Sequence, residues 1–340
     1  MMSKENRMPE PPKTLKSIRI GFDAITQHMG LILFPLVLDL IIWFAPHMRI
    51  KGLIEGMIKG FFSFPTLDNP ELEELVTASR EMWTVFAERL NLVAALRSFP
   101  VGIFSLLSSV LPISTPLGEP MFVEVESPGN AFLFVLGFLL VGMVLGVVYY
   151  AAVYQAALYD RVRWREVIAR GPWLIKHTML LSLIWLGLFF AVSLLGGCLI
   201  TGAALVNTLL AQGALLIFSF VYLWMMFPLF FSPHGIFTGK KRAWRSVYES
   251  IRMTGLSFLQ TGFFIILAIL ITQGLDVVWQ VAPGDSWLML ISVTGHAFVT
   301  TGMLAASFVY YQDMSRWLKE IIVWKEKEMP LGKGEQGNQT

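Results

Sequence analysis

Two ionisable side chains sit where a membrane-crossing chain carries few. Asp39, in LVLDLII, is an acid deep inside an apolar run, and His296, in VTGHAFVTTG, is a histidine so placed. A charged Asp at the centre of a span costs about 2.5–3.5 kcal/mol on insertion scales, so it needs a partner or a proton. Counted from opposite membrane faces, each lies about nine residues in on helical spans. This predicts a meeting near the midplane, with Thr294, Thr300 and Thr301 close by. Such a pair serves either as a relay for a proton or small cation, or as a buried polar contact that fixes helix register; the second is the commoner use. A further constellation is cationic and aromatic: Arg163, Trp164 and Arg165, matched by Arg242, Trp244 and Arg245. These could hold anionic lipid head groups at about 1 kcal/mol per cation. They serve equally as ordinary orientation signals.

The remaining polar residues carry less. Gln155, Gln260 and Gln273 read as interhelical hydrogen-bonding groups, and Gly142 with Gly146 as a close-packing pair within the bundle. Pro228 and Pro233 bring a kink and a helix end, and Asp276 and Asp285 are expected at the outer surface in water. His28, His47, His177 and His234 are scattered without metal-ligand spacing. No phosphate-binding glycine loop, GxSxG elbow, HExxH pair or nucleic-acid module is present. The expectation is therefore a non-enzymatic chain with no catalytic residue, metal, cofactor or nucleic-acid partner.

The elements that must position these residues follow from composition. Of 340 residues, 55% are hydrophobic and 15% charged, and the mean hydropathy is +0.62. Soluble domains carry about 25% charged residues. The apolar excess falls in runs of about 20 residues, long enough to cross about 30 Å of hydrocarbon. Spans are expected near 30–46, 130–158, 178–200, 205–231, 256–275 and 286–312. A unit recurs before three of them: a basic amphipathic helix that runs into an apolar span. It begins at Lys13, at Asp160 and at Lys240. In the last copy Trp244, Val247, Tyr248 and Ile251 share one helical face, and Arg245, Glu249 and Arg252 the other. Such helices lie in the membrane interface. No cleavable signal is expected, and Cys198, the one cysteine, excludes an intrachain disulfide.

Residues 48–127 break the pattern. Ile50 to Phe62 give an amphipathic stripe. Asn69, Pro70 and three glutamates announce a helix to about Ser98, with Leu72, Leu75, Met82, Phe86, Leu90 and Val93 on one face. Residues 101–112 are apolar but too short to span, and read as interfacial or re-entrant. Six of the 26 Lys and Arg lie in this insertion beside ten acids; the other cations fall in four segments that six spans place on one side. The net charge of +2 is uninformative. The expected fold is an all-α polytopic membrane protein with six transmembrane helices as three hairpins, each preceded by a cytoplasmic amphipathic interfacial helix. Residues 13–317 form the membrane domain, with the extracytoplasmic insertion at 48–127. Tails at 1–12 and 328–340 are expected to be disordered, and both ends cytoplasmic.

Residues 130–317 also carry a resemblance. Arg242, Trp244, Arg245 and Ser246, the Gly255-led span, and the ending Tyr310, Tyr311, Asp313 and Arg316 are its marks. They resemble the bacterial six-span family that includes the membrane domain attached to some glycerophosphodiester phosphodiesterases and the YciC-like proteins. The resemblance implies a six-helix bundle in the plasma membrane. It implies no esterase activity, because no phosphodiesterase domain is attached, and the 48–127 insertion departs from it. Two roles follow: a scaffold that engages anionic lipids or a membrane protein partner, or a small transporter built on Asp39 and His296.

Overall fold

The computed structural model describes residues 9–61 and 70–328. Asn69 and the ends at 1–8 and 329–340 lie outside them. The chain is an integral membrane protein of the all-α class: among the described residues, five helices are long and apolar enough to cross a bilayer, six if one bent pair counts as a single span.

That bent pair is α1 (Thr14–Gln27) and α2 (Leu33–Phe44), which meet at 93° across a short 3-10 turn, Met29–Ile32. Together they follow the last helix, α12 (Leu288–Glu328), from one end to the other. The Trp317 indole donates to the Pro9 carbonyl at 2.9 Å, and the Trp43 indole to the Gly284 carbonyl at 2.9 Å. Between these points Gly21 lies so close to Ala306 that a Cβ would fall 2.3 Å from its backbone nitrogen. A stripe of Thr14, Ser17, Gly21, Ala24 and Ile25 is buried, and its small side chains let α1 press closely against α12.

The insertion forms a cap at the end of the bundle away from Trp317. Strands β1 (His47–Arg49) and β2 (Phe122–Glu124) pair in parallel, with His47 opposite Phe122. Helices α3 (Lys51–Phe61) and α4 (Pro70–Arg89) follow β1. The expected helix to Ser98 stops at Arg89. The Asn91 carboxamide oxygen accepts from Met48 N and Val93 N, both at 3.1 Å, which opens a 3-10 turn over Leu92–Arg97. Met82 and Phe86 are exposed rather than packed.

The chain then dives back into the bundle. Val101, Ile103, Leu106 and Leu107 are buried, ahead of and within the one-turn helix α5 (Leu107–Val110). They lean on the middle of α6 (Pro128–Tyr159), where Gly142 and Gly146 face them. A Cβ on Gly142 would sit 2.0 Å from the Leu96 carbonyl oxygen, and one on Gly146 2.7 Å from Gly102 Cα. Non-helical backbone is tolerated at membrane depth only where protein covers it. The GxxxG pair provides that cover, so it does pack inside the bundle, but against a re-entrant segment.

Helix α7 (Trp164–Val206) runs 43 residues, and α8 (Thr208–Met226) returns beside it. The second basic unit is therefore continuous with its span, not a separate interfacial helix. The third is separate: α9 (Ser232–Gly239) leads to α10 (Ala243–Leu256), which breaks at Ser257 before α11 (Phe258–Trp279). Trp244, Tyr248 and Ile251 stay exposed, while Val247 is buried. The buried face of α10 bears hydroxyls: Ser246 donates to the Ser232 carbonyl at 2.5 Å and Ser250 to the Pro228 carbonyl at 2.7 Å. Those carbonyls lie in the 3-10 turn after α8 and at the first residue of α9, the proline-bearing stretch where the helical ladder is interrupted.

Gly142→Ala should destabilise the protein by about 1–3 kcal/mol through overpacking against backbone. Gly137→Ala, with open space around it, should be neutral or slightly stabilising. Thermal unfolding in detergent micelles compares the two; equal stabilities would show that segment 96–102 is not seated on α6.

Candidate functional site

Asp39 and His296 are both buried, but no hydrogen bond or ion pair joins them. Asp39 instead caps the re-entrant segment. One carboxylate oxygen accepts from Ser105 Oγ at 2.5 Å and from Leu107 N at 3.0 Å; the other accepts from Leu106 N at 3.1 Å. Ser105 Oγ in turn accepts from Ser108 N at 3.0 Å. Three donors converge on a carboxyl group with no exposed surface, which supplies its oxygens with hydrogen bonds where water cannot reach. The register-fixing use is the one the geometry fits, with the 105–107 backbone as the partner.

His296 faces Asp276, 2.7 Å from Nδ1 to Oδ1. Asp276 was expected in water; its side chain is 18% exposed and lies on the wall of a chamber. An ionised carboxylate only accepts, so Nδ1 carries the proton of this contact, and Nε2 is the ring's other nitrogen. That Nε2 is buried and has no partner. His234 repeats the arrangement from α9. Its Nε2 lies 2.7 Å from Ser307 Oγ, whose hydroxyl donates to the Leu304 carbonyl at 2.7 Å. His234 Nε2 therefore donates, and its Nδ1 is the bare, unpartnered nitrogen.

Both histidines line one chamber of about 270 Å³. His296, Thr300, Leu304 and Ser307 recur at helical spacing along α12, so the chamber follows that helix for about 16 Å. Arg97 enters from the re-entrant segment, its Nη1 donating to Ser108 Oγ at 3.1 Å and Ser109 Oγ at 3.0 Å. Arg97, Phe99, Ile269 and Gln273 are the exposed members of the lining and form the rim. Phe99 stands edge-on to Trp185 at 5.0 Å. Around the rim, Leu186 and Phe190 on α7 and Ile266 and Leu270 on α11 are exposed and apolar, so the mouth faces the side of the bundle. The walls are apolar elsewhere, through Phe104, Phe230, Met303 and Leu304. A cation, a carboxylate-bound imidazole and a hydrocarbon-like wall meet in one space.

The predicted basic-aromatic residues divide. Arg163 pairs with Glu166 at 2.5 Å and Arg245 with Glu249 at 3.1 Å; Trp164 and Trp244 are exposed. Lys241 also pairs with Glu249, and its ammonium reaches the Tyr311 hydroxyl at 3.3 Å. Burial would lower the Lys241 pKa, but Tyr311 and Glu249 outweigh it and raise it. Arg165 and Arg242 line neither the chamber nor the clefts at this end. Gln155 Oε1 accepts from Arg163 N at 2.7 Å, and Gln273 lines the chamber. Among the described residues no three His, Cys, Asp or Glu side chains gather as metal ligands.

Sequence reasoning missed Arg97, His234 and Asp276. Arg97 followed by Ser108 and Ser109 carries a weak signal, a cation with two hydroxyls inside an apolar stretch. The pairing of Asp276 with His296 across a helical hairpin carries none. No protein-family model, curated protein or solved structure matches the chain.

Asp39→Ala should leave the Leu106 and Leu107 amides without acceptors, at a cost of about 2–4 kcal/mol. Asp39→Asn keeps one acceptor oxygen and should cost less. Melting in micelles ranks the variants; an Asp39→Ala protein as stable as wild type would remove the carboxylate from its capping role.

Proposed function

We propose that this is a non-enzymatic membrane protein that takes an anionic amphiphile sideways from the bilayer into the chamber. The observation that carries this reading is the chamber's composition: Arg97 and Gln273 at the rim and His296, Asp276 and a few hydroxyls on the wall share a space otherwise lined by apolar side chains such as Phe99, Phe104, Phe230 and Met303. An exposed arginine at the side of a membrane bundle is costly without a counter-anion. A phosphate or carboxylate head group supplies one, and the acyl chain lies along Phe99, Trp185 and Ile269. In crosslinking with a diazirine-bearing phosphatidylglycerol, the wild-type chamber should label, and Arg97→Gln or the rim-closing Ile269→Trp should label at least tenfold less. Undiminished labelling in both variants would reject the reading.

A second reading, coupled transport, is favoured by the unpartnered Nε2 of His296, on a ring oriented by Asp276. Amphiphile flux in proteoliposomes driven by an imposed proton gradient, and lost in His296→Ala, would select it. Asp39 enters neither reading: it is held by three hydrogen bonds from Ser105, Leu106 and Leu107.

The orientation belongs to the same proposal. The basic segments at 13–19, 161–176 and 240–252 and the end of α12 lie on the cytoplasmic side of a bacterial plasma membrane, with six crossings and the insertion outside. The resemblance to the six-span family supports this plan, as does the lysine and arginine distribution. In a Cys198→Ala background, Ser3→Cys and Gln336→Cys should react with an impermeant maleimide only after lysis, and Glu119→Cys in intact spheroplasts. Labelling of the two ends from different sides would overturn the six-crossing plan.

A further inference from the structure

At the basic end of the bundle a second space opens between α6, α7 and α9, about 370 Å³ in volume. A narrower cleft of about 110 Å³ continues it, and the two share Tyr154, Gln155 and Arg170. Four cations border the joined space, Arg161, Arg163, Arg170 and Lys240, against one acid, Glu166. The field they make is visible on that acid. The hydrogen bond from Arg163, with the Arg170 and Arg161 charges nearby, holds the Glu166 carboxyl below the usual carboxylate range. Glu166 hydrogen-bonds to Arg163, and one acid against four cations leaves the joined space with an excess of positive charge.

Polar donors are left over on the same wall. Gln155 is only 6% exposed, and its oxygen is used by Arg163 N, so its amide N–H groups have no partner on the wall shared by the two spaces. Tyr154 and Tyr159 share one hydroxyl–hydroxyl bond at 3.0 Å, which commits one proton and leaves the other hydroxyl free to donate. Beyond them the floor is apolar, formed by Ala151, Val167, Leu174, Ile236 and Phe237. Arginine and lysine suit phosphate oxygens, and amide and phenol donors complete their coordination.

We propose that this space is a binding site for a phosphate ester, with the phosphate among Arg161, Arg170, Lys240 and the Gln155 amide and its organic part on the apolar floor. It is separate from the chamber beside Arg97 and does not depend on the amphiphile reading. The same chemistry is offered by the head group of an anionic phospholipid and by a soluble phosphate monoester, and the apolar floor fits the lipid better.

The test uses the full chain in phosphatidylcholine nanodiscs, with phosphatidic acid added to the bilayer in one arm and glycerol 3-phosphate to the buffer in the other. Native mass spectrometry counts retained ligand, and melting reports the shift. Phosphatidic acid should be retained and should raise Tm; Arg170→Gln and Lys240→Asn should each weaken retention about fivefold, the effect of about 1 kcal/mol per cation. Asn suits Lys240, whose φ is 47°. Arg19→Gln, the same charge loss elsewhere on the basic end, should leave retention unchanged. Saturable binding of glycerol 3-phosphate with the same variant dependence would assign the site to a soluble ester. Equal weakening by Arg19→Gln, or retention of phosphatidic acid unaffected by either cleft variant, would overturn the proposal. Melting in phosphatidylcholine alone shows whether each variant folds. Arg97→Gln should keep this retention while losing chamber labelling, which separates the two readings.

Discussion

The bundle depends on one carboxylate. Residues 98–106 have neither helix nor sheet to occupy their backbone groups, and they sit against the middle of a membrane-crossing helix. In lipid each unsatisfied backbone group costs several kcal/mol. Asp39 answers two of the amides, Leu106 and Leu107, and Ser105 links the carboxylate to a third, Ser108. The carboxyl group is satisfied by the donors and the donors by the carboxyl group. Neither would be stable in that position alone, so helix α2 and the re-entrant segment form a single unit. Arg97, Phe99 and Phe104 reach the chamber because that unit holds the backbone on either side of them.

The same logic recurs at the basic end with weaker groups. Pro228 and Pro233 deny the α8–α9 junction a full helical ladder, and Ser250 and Ser246 from α10 add hydrogen bonds to the Pro228 and Ser232 carbonyls there. The Pro-bearing stretch carries His234 to the chamber wall. Both irregular segments that contribute polar groups to the chamber are thus fixed by side-chain-to-backbone bonds from a neighbouring helix. This is the arrangement a binding site needs if polar groups are to stay in place within an apolar medium.

Helix positions were legible because hydrocarbon thickness sets run length: the spans read at 130–158 and 256–275 correspond to Pro128–Tyr159 and Phe258–Trp279. The acid and histidine were legible as buried, since apolar neighbours surround both. Their partners were not. Asp39 bonds to backbone amides, which every residue possesses, so no side-chain pattern could name residues 105–107. Asp276 lies near a helix end, where composition reads as water-facing, and only the fold of the hairpin turns it inward. The docking faces of the amphipathic units were hard to read too: beside Ile25, Val247 and Met253, those of α1 and α10 carry Ser, Thr, Gly and Ala, which hydropathy scarcely registers.

The contact between α1 and α12 makes the topology circular. Helix α1 finds its main groove on α12, far along the chain, with Gly21 seated on Ala306. Until α12 is made, the small-residue stripe of α1 lacks its main cover, and a nascent chain must carry it through insertion of every segment between the two. Synthesis of α12 and closure of the bundle are therefore coupled. A chain stopped before α12 would leave its first helix without the surface it was shaped to meet.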